Sequence, residues 1–151
     1  MEIITKGHDG KNAVMQIMQL FYSLTEDVKV ESLVKEEKGI YYAFSKVTCR
    51  GESETGEAQT TAVEKIYRTN AVKKSVFHAC RKLNKTDAPW GISTGIRPAK
   101  NARKMIDDGF GDEKILEHLK GEYLMDDKKA RLALSVAKKE RSILKACRKI
   151  P

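Results

Sequence analysis

Three cysteines in 151 residues, Cys49, Cys80 and Cys147, are too few and too far apart for a disulfide framework. Zinc and iron–sulfur sites usually show at least one close cysteine pair, and the spacing here offers none. Free thiols packed as small hydrophobes are the expectation, with Cys80 and Cys147 on apolar helix faces. The three histidines, His8, His78 and His118, share no ligand spacing. No run approaches the ~18–20 apolar residues of a membrane span. Glu2 stands where a signal peptide would begin its basic and apolar regions. A cytoplasmic protein with no membrane partner is expected. Neither standard glycine-rich phosphate loop occurs, and no Ser/His/Asp or Cys/His set can be placed together. The adjacent carboxylates at Glu36-Glu37, Asp107-Asp108 and Asp126-Asp127 fall at turns or helix ends, where they cap and solvate. The chain is expected to carry no catalytic residue and no metal.

Positive charge is in excess, at +8 overall, and it is unevenly placed. Residues 1–63 hold 7 Lys+Arg against 10 Asp+Glu, residues 64–96 hold 7 against 2, and residues 97–151 hold 15 against 9. A basic surface attracts nucleic acid, an acidic protein or a polycarboxylate. A basic nucleic-acid-binding module is therefore the alternative reading, with lysines after residues 70 and 126 meeting phosphates. The scarcity of aromatics and the lack of a recognition motif weigh against nucleic acid as a partner.

The periodicity predicts an α+β fold: a small antiparallel sheet with helices on one face, followed by a helical C-terminal extension. Residues 2–5 read as a short strand. Val14, Ile17, Met18 and Phe21 recur at helical spacing within residues 12–24. Val28, Val30 and Val34 alternate with Lys29, Glu31 and Lys35, a half-buried strand. After the turn at Gly39, Ile40, Tyr42 and Phe44 form the apolar phase of a second strand, and the two make a hairpin. Residues 50–59 are either a loop or the tip of a second hairpin. A helix follows over 70–85, with Val72, Val76, Ala79, Cys80 and Leu83 on one side. Three more helices are expected beyond residue 98. The first is capped by Gly109, the second starts at Asp112 and closes at Gly121, and the third starts near Asp126 or Asp127. The apolar stripe of this last helix is Leu132, Ala133, Val136, Ala137, Ile143, Leu144 and Cys147. Glu140 interrupts it, either as a boundary charge paired with a lysine or as a residue facing another domain. The organisation is thus 1–88 as an α+β unit, 89–100 as a connecting loop and 101–151 as the helical extension.

That connecting loop, Pro89-Trp90-Gly91-Ile92-Ser93-Thr94-Gly95-Ile96-Arg97-Pro98-Ala99-Lys100, holds the single tryptophan and two of the three prolines. Glycine is too free, and proline lacks the donor, for a helix or strand interior. The segment reads as a shaped loop that delivers Pro98 to the first turn of a helix. Ser93, Thr94, Arg97 and Lys100 gather near that start, where hydroxyls, cations and exposed N–H groups suit a carboxylate or phosphate. They are the binding or docking candidates, and Trp90 is the structural anchor. Alternatively, Arg97 is a structural tie to a neighbouring carboxylate or carbonyl.

The same loop resembles the Trp-Gly-x-x-Thr-Gly-Ile-Arg-Pro-x-Lys segment of the bacterial oxygen-independent coproporphyrinogen III dehydrogenases, which are radical-SAM oxidoreductases of haem and porphyrin biosynthesis. The likeness continues through Lys104-Met105-Ile106-Asp107-Asp108-Gly109, through Tyr123-Leu124-Met125-Asp126-Asp127-Lys128-Lys129-Ala130 and through Ala137-Lys138-Lys139-Glu140. It is specific from residue 89 to about 144. In that family a Cys-x-x-x-Cys-x-x-Cys core follows this region, and no such cluster occurs in these 151 residues. The resemblance implies an N-terminal accessory region, inactive alone, that docks the core of the same polypeptide or positions substrate. The fragment would then hold no cofactor, while the parent would use a [4Fe–4S] cluster and S-adenosylmethionine to decarboxylate propionate side chains of coproporphyrinogen. A porphyrinogen propionate is the anionic ligand this implies.

Overall fold

The structure is a computed structural model that describes residues 1–86, 88–93 and 99–148. Its backbone contacts divide the chain into two units, Met1–Ala88 and Pro89–Pro151.

The first unit runs β1 (Glu2–Lys6), α1 (Lys11–Met18), β2 (Val28–Glu37), β3 (Ile40–Cys49), β4 (Glu52–Thr60) and α2 (Lys65–Asn84). The strands form one sheet in the order β1-β2-β3-β4. The fold is α+β, as the periodicity predicts. The sheet is mixed rather than wholly antiparallel: β1 pairs parallel with β2, because α1 carries the chain back across the sheet between them. β2, β3 and β4 form an antiparallel meander, so residues 52–60 are a full strand and not a loop. The hairpin turn uses left-handed backbone at Lys38 and Gly39.

α2 lies on one face of this sheet, and small residues let it approach. Ser45 and Gly56 are register partners, as are Ala43 and Ala58. A side chain on Gly56 would meet the Ser75 carbonyl, with the Ala79 nitrogen 2.7 Å away. Ser45 Oγ and Ser75 Oγ, both buried, hydrogen-bond at 2.7 Å, and Ser75 also donates to the Val72 carbonyl. The helix therefore rests on Ala43, Ser45 and Gly56, with Val72, Val76, Phe77, Ala79 and Cys80 buried in the contact layer. This inverts the expected phase of β3. Tyr42 and Phe44 turn outward and are exposed, while Ala43, Ser45 and Val47 turn inward and are buried. Aromatic rings under α2 would hold it off the sheet; the close approach selects the small phase.

The second unit contains α3 (Ala99–Asp107), α4 (Asp112–Tyr123) and α5 (Asp127–Arg148). α5 packs against both α3 and α4 through Ala130, Ala133, Leu134 and Ala137. Leu132, Val136, Ile143 and Leu144, expected in the buried stripe, are exposed, as is Cys147. Leu132 and Val136 each precede a buried alanine by one residue, which on a helix rotates them about 100° away from it. Gly109 ends α3 with a φ of +90°, and its N–H bonds back to the Ile106 carbonyl. α4 runs through Gly121 and ends instead at Leu124, which takes the left-handed conformation itself. Among the described residues no helix is long and apolar enough to cross a membrane.

Candidate functional site

The candidate site is the start of the second unit. Of the residues named from sequence, Trp90, Ser93 and Lys100 are described, while Thr94 and Arg97 lie outside the described residues.

What is described is a joint between two stretches distant in sequence. The Ile92 N–H donates to the Tyr123 carbonyl at 2.8 Å, and the Asp126 N–H donates to the Pro89 carbonyl at 2.9 Å. These bonds pin residues 89–92 against the α4–α5 corner. Gly91 sits between them with a φ of +61°, and a Cβ there would run into the Tyr123 carbonyl and the Leu124 backbone. Only glycine meets both demands without strain. Ile92, Tyr123 and Met125 are buried around it. Asp126 then caps α5, its Oδ1 accepting the Lys129 N–H at 2.7 Å. Lys129 returns over the indole of Trp90, with Nζ 5.1 Å from the ring centroid, a cation–π contact. Trp90 itself is half-buried.

Charge pairs tie the helices around this joint. Asp127 accepts from Arg131 Nε at 2.9 Å and from Lys120 Nζ at 3.1 Å. These hydrogen bonds hold its carboxyl below the usual carboxylate range. Glu140 pairs with Arg103 at 3.2 Å, so it bridges α5 to α3 through an arginine. Arg141 meets Asp107 at 3.1 Å, and Lys138 meets Asp112 at 2.6 Å. Ser93 Oγ is buried and has no hydrogen-bond partner among the described residues. Lys100 is exposed in the first turn of α3.

Two exposed apolar surfaces escape a reading of the sequence. One is the outer side of α5, where Leu132 is 46% exposed, Val136 38% and Ile143 63%. The other is the sheet face opposite α2, with Leu33, Tyr42 and Phe44. A signal for the second exists: Leu33 falls in the polar phase of β2, among Lys29, Glu31 and Lys35.

No group of three His, Cys, Asp or Glu among the described residues is placed to hold an ion. Cys80 is fully buried against Met18 Sδ at 3.6 Å, and burial pushes its thiol up to about 12, far from a thiolate ligand.

No family model and no curated protein matches the chain. Among solved structures it is similar to a ribosomal subunit interface protein from Coxiella burnetii. That likeness has 13% sequence identity and a TM-score of 0.38, over 56% of this chain and 91% of that one. A similarity at this level carries no argument about function.

Proposed function

We propose that this chain is the N-terminal accessory region of a radical-SAM protein resembling the oxygen-independent coproporphyrinogen III dehydrogenases, acting in the cytoplasm by docking or substrate positioning and not by catalysis. The observation that carries the reading is the joint itself. The segments that bear the resemblance, around Trp90-Gly91-Ile92 and Tyr123–Lys129, close on each other through two backbone bonds and a glycine with no room for a side chain. Residues tied by such a contact are constrained together, and the segments that carry the resemblance are among them. The joint leaves the outer side of α5 apolar and exposed, and exposed apolar patches mark interaction surfaces. In this reading the surface takes the radical-SAM core of the same polypeptide. The [4Fe–4S] cluster and S-adenosylmethionine belong to that core. Ser93, Thr94, Arg97 and Lys100 are proposed to meet an anionic group, a substrate propionate or an acidic side chain of the core.

The test begins with the reading frame beyond Pro151. A Cys-x-x-x-Cys-x-x-Cys cluster shortly downstream supports the assignment; its absence there overturns it. In the complete protein, Leu132→Asp and Val136→Asp should lower coproporphyrinogen decarboxylation while the helical content of the chain is kept. Unchanged turnover removes α5 as the docking surface. Tight, salt-sensitive binding of RNA or DNA by the chain would favour the nucleic-acid module instead.

A further inference from the structure

The outer face of the sheet carries a pattern that fits a copy of itself. Alternation along each strand and the register across the strands fix which residues share this face. One row across the sheet reads Lys6, Leu33, Phe44, Glu57 from β1 to β4. The next row toward the β2 start reads Ile4, Glu31, Lys46, Thr55, and the row after it reads Glu2, Lys29, Thr48, Ser53. On the other side, Lys35 stands beside Tyr42 and Gln59. The centre is apolar and open to solvent: Leu33 is 45% exposed, Tyr42 40% and Phe44 37%.

We propose that this face is a homodimer interface, with a two-fold axis running parallel to the strands above the line between β2 and β3. A rotation about that axis keeps each row at its own height and exchanges the two sides of the sheet. β1 of one copy then lies over β4 of the other, and β2 over β3. Leu33 meets Phe44 of the second copy. Lys6 meets Glu57, and Glu31 meets Lys46, each twice. Lys35 meets the ring of Tyr42, a cation–π arrangement. No row sets like charges against each other. A closed two-fold contact requires such self-complementarity, because the same patch serves both partners. Two stacked sheets settle about 30° from parallel, so the residues at the centre of the face, Leu33 and Glu31 on β2 and Phe44 and Lys46 on β3, keep their partners best. Strands of 5, 10, 10 and 9 residues, at about 4.8 Å spacing and about 3.3 Å rise, give a face of roughly 500 Å² in projection, approaching the ~800 Å² per partner of a standard interface. The proposal concerns the first unit alone and does not rest on the accessory role proposed for the chain.

Charge reversal at the edges supplies the test. Lys6 and Glu57 lie on opposite edge strands of one copy, and neither joins an ion pair among the described residues. In the two-fold arrangement, K6E sets a carboxylate against Glu57 of the second copy, and E57K sets an ammonium against its Lys6. Sedimentation velocity of the full chain over a concentration series should show a reversible dimer. Phe44→Ala should weaken it at least about tenfold, as expected for an aromatic at the centre of an interface. K6E and E57K should each weaken it, and an equimolar mixture of the two should recover the dimer, since both cross-contacts become opposite in sign. Circular dichroism of each variant controls for folding, and recovery on mixing cannot come from a misfolded chain. A wild-type chain that stays monomeric throughout overturns the proposal and leaves the face to another occupant. So does a dimer indifferent to Phe44→Ala, or a mixture no tighter than its separate components.

Discussion

Gly91 is the sharpest place to perturb the second unit. Gly91→Ala imposes two separable costs. At a φ of +61° an L-residue pays for left-handed backbone, about 1–2 kcal/mol. The new Cβ also points at the Tyr123 carbonyl and the Leu124 backbone, where no flexible side chain can swing aside. Relief requires residues 89–92 to retreat from the α4–α5 corner, which strains the Ile92-to-Tyr123 bond at 2.8 Å. Overpacking of this kind costs typically about 1–3 kcal/mol. Gly109→Ala is the matched control: its φ is +90° and nothing lies within 4 Å of an added Cβ. Both substitutions also restrict the unfolded chain, which returns about 0.4–1 kcal/mol in each. Gly109→Ala should therefore cost about 1 kcal/mol or less and Gly91→Ala about 2–4 kcal/mol. Urea titration followed by tryptophan fluorescence reads the right unit, because Trp90 is the sole tryptophan and is adjacent to the substitution. If the two variants agree within about 0.5 kcal/mol, the contact with Tyr123 is not a constraint and the joint loses its weight as support for the proposed function.

Gly56→Ala tests the other close approach: its backbone is ordinary, so the whole loss, about 1–3 kcal/mol, should come from lifting α2 off β4, and a neutral result in thermal unfolding would refute the tight contact at Ser75. Acidification should destabilise the first unit. His8 is held below its ordinary value of 6.5 chiefly by burial, and His78 by burial and then by Arg81, Lys82 and Lys74. The unfolded chain therefore takes up these protons first, so stability is full above 6.5 and falls as pH drops through that value toward the lower folded values. Melting temperatures that stay flat or rise over that interval would contradict the sign. Protonation of His8 should also break the bond from the Gly10 N–H to Nδ1 at 3.0 Å, so His8→Asn should shrink the pH response. Anaerobic reconstitution of the chain with iron and sulfide should yield no stoichiometric [4Fe–4S] spectrum; a cysteine-dependent cluster, read by visible absorption and iron analysis, would show that Cys49, Cys80 and Cys147 can gather at one site.

Much of the framework is legible in the sequence because it rests on local periodicity. The β2–β3 hairpin follows from alternation broken at Gly39, and the Asp126 cap follows from an acid placed before an apolar helix. β4 is not legible, since its sequence ESETGEAQT has no apolar phase at all. A strand at the sheet edge needs only one covered face, and α2 covers this one through Gly56 rather than through bulky side chains. Edge strands are also protected from unwanted pairing by charge, which explains Glu52, Glu54 and Glu57 in a segment whose sequence leaves loop and hairpin tip undecided. The candidate anion residues are legible only as a set of names, because hydroxyls and cations near a helix start say nothing of which face they share.

The two misread faces have one cause. Periodicity reports which residues lie on the same side of an element, but it does not report which side is covered. In β3 both phases are apolar enough to be buried: Ile40, Tyr42 and Phe44 on one side, Tyr41, Ala43 and Val47 on the other. Hydrophobicity alone favours burying the aromatics. Packing decides otherwise, because α2 needs Ser45 to reach Ser75 and needs Gly56 beside it. α5 presents the same choice. Leu132 and Val136 carry more apolar area than Ala133 and Ala137, yet the alanines are buried because three helices meet there and small residues bring them close. At these positions of β3 and α5 the close-packed layer takes the small residues and leaves Tyr42, Phe44, Leu132 and Val136 outward. Large side chains displaced in this way form contiguous patches, Leu33 with Tyr42 and Phe44 on the sheet and Leu132 with Val136 on the helix. The exposed surfaces proposed for dimerisation and for docking are thus consequences of how tightly the helices pack, and a change that loosened the packing, such as a larger residue at Ser45 or Ala133, would disturb those surfaces as well as the core.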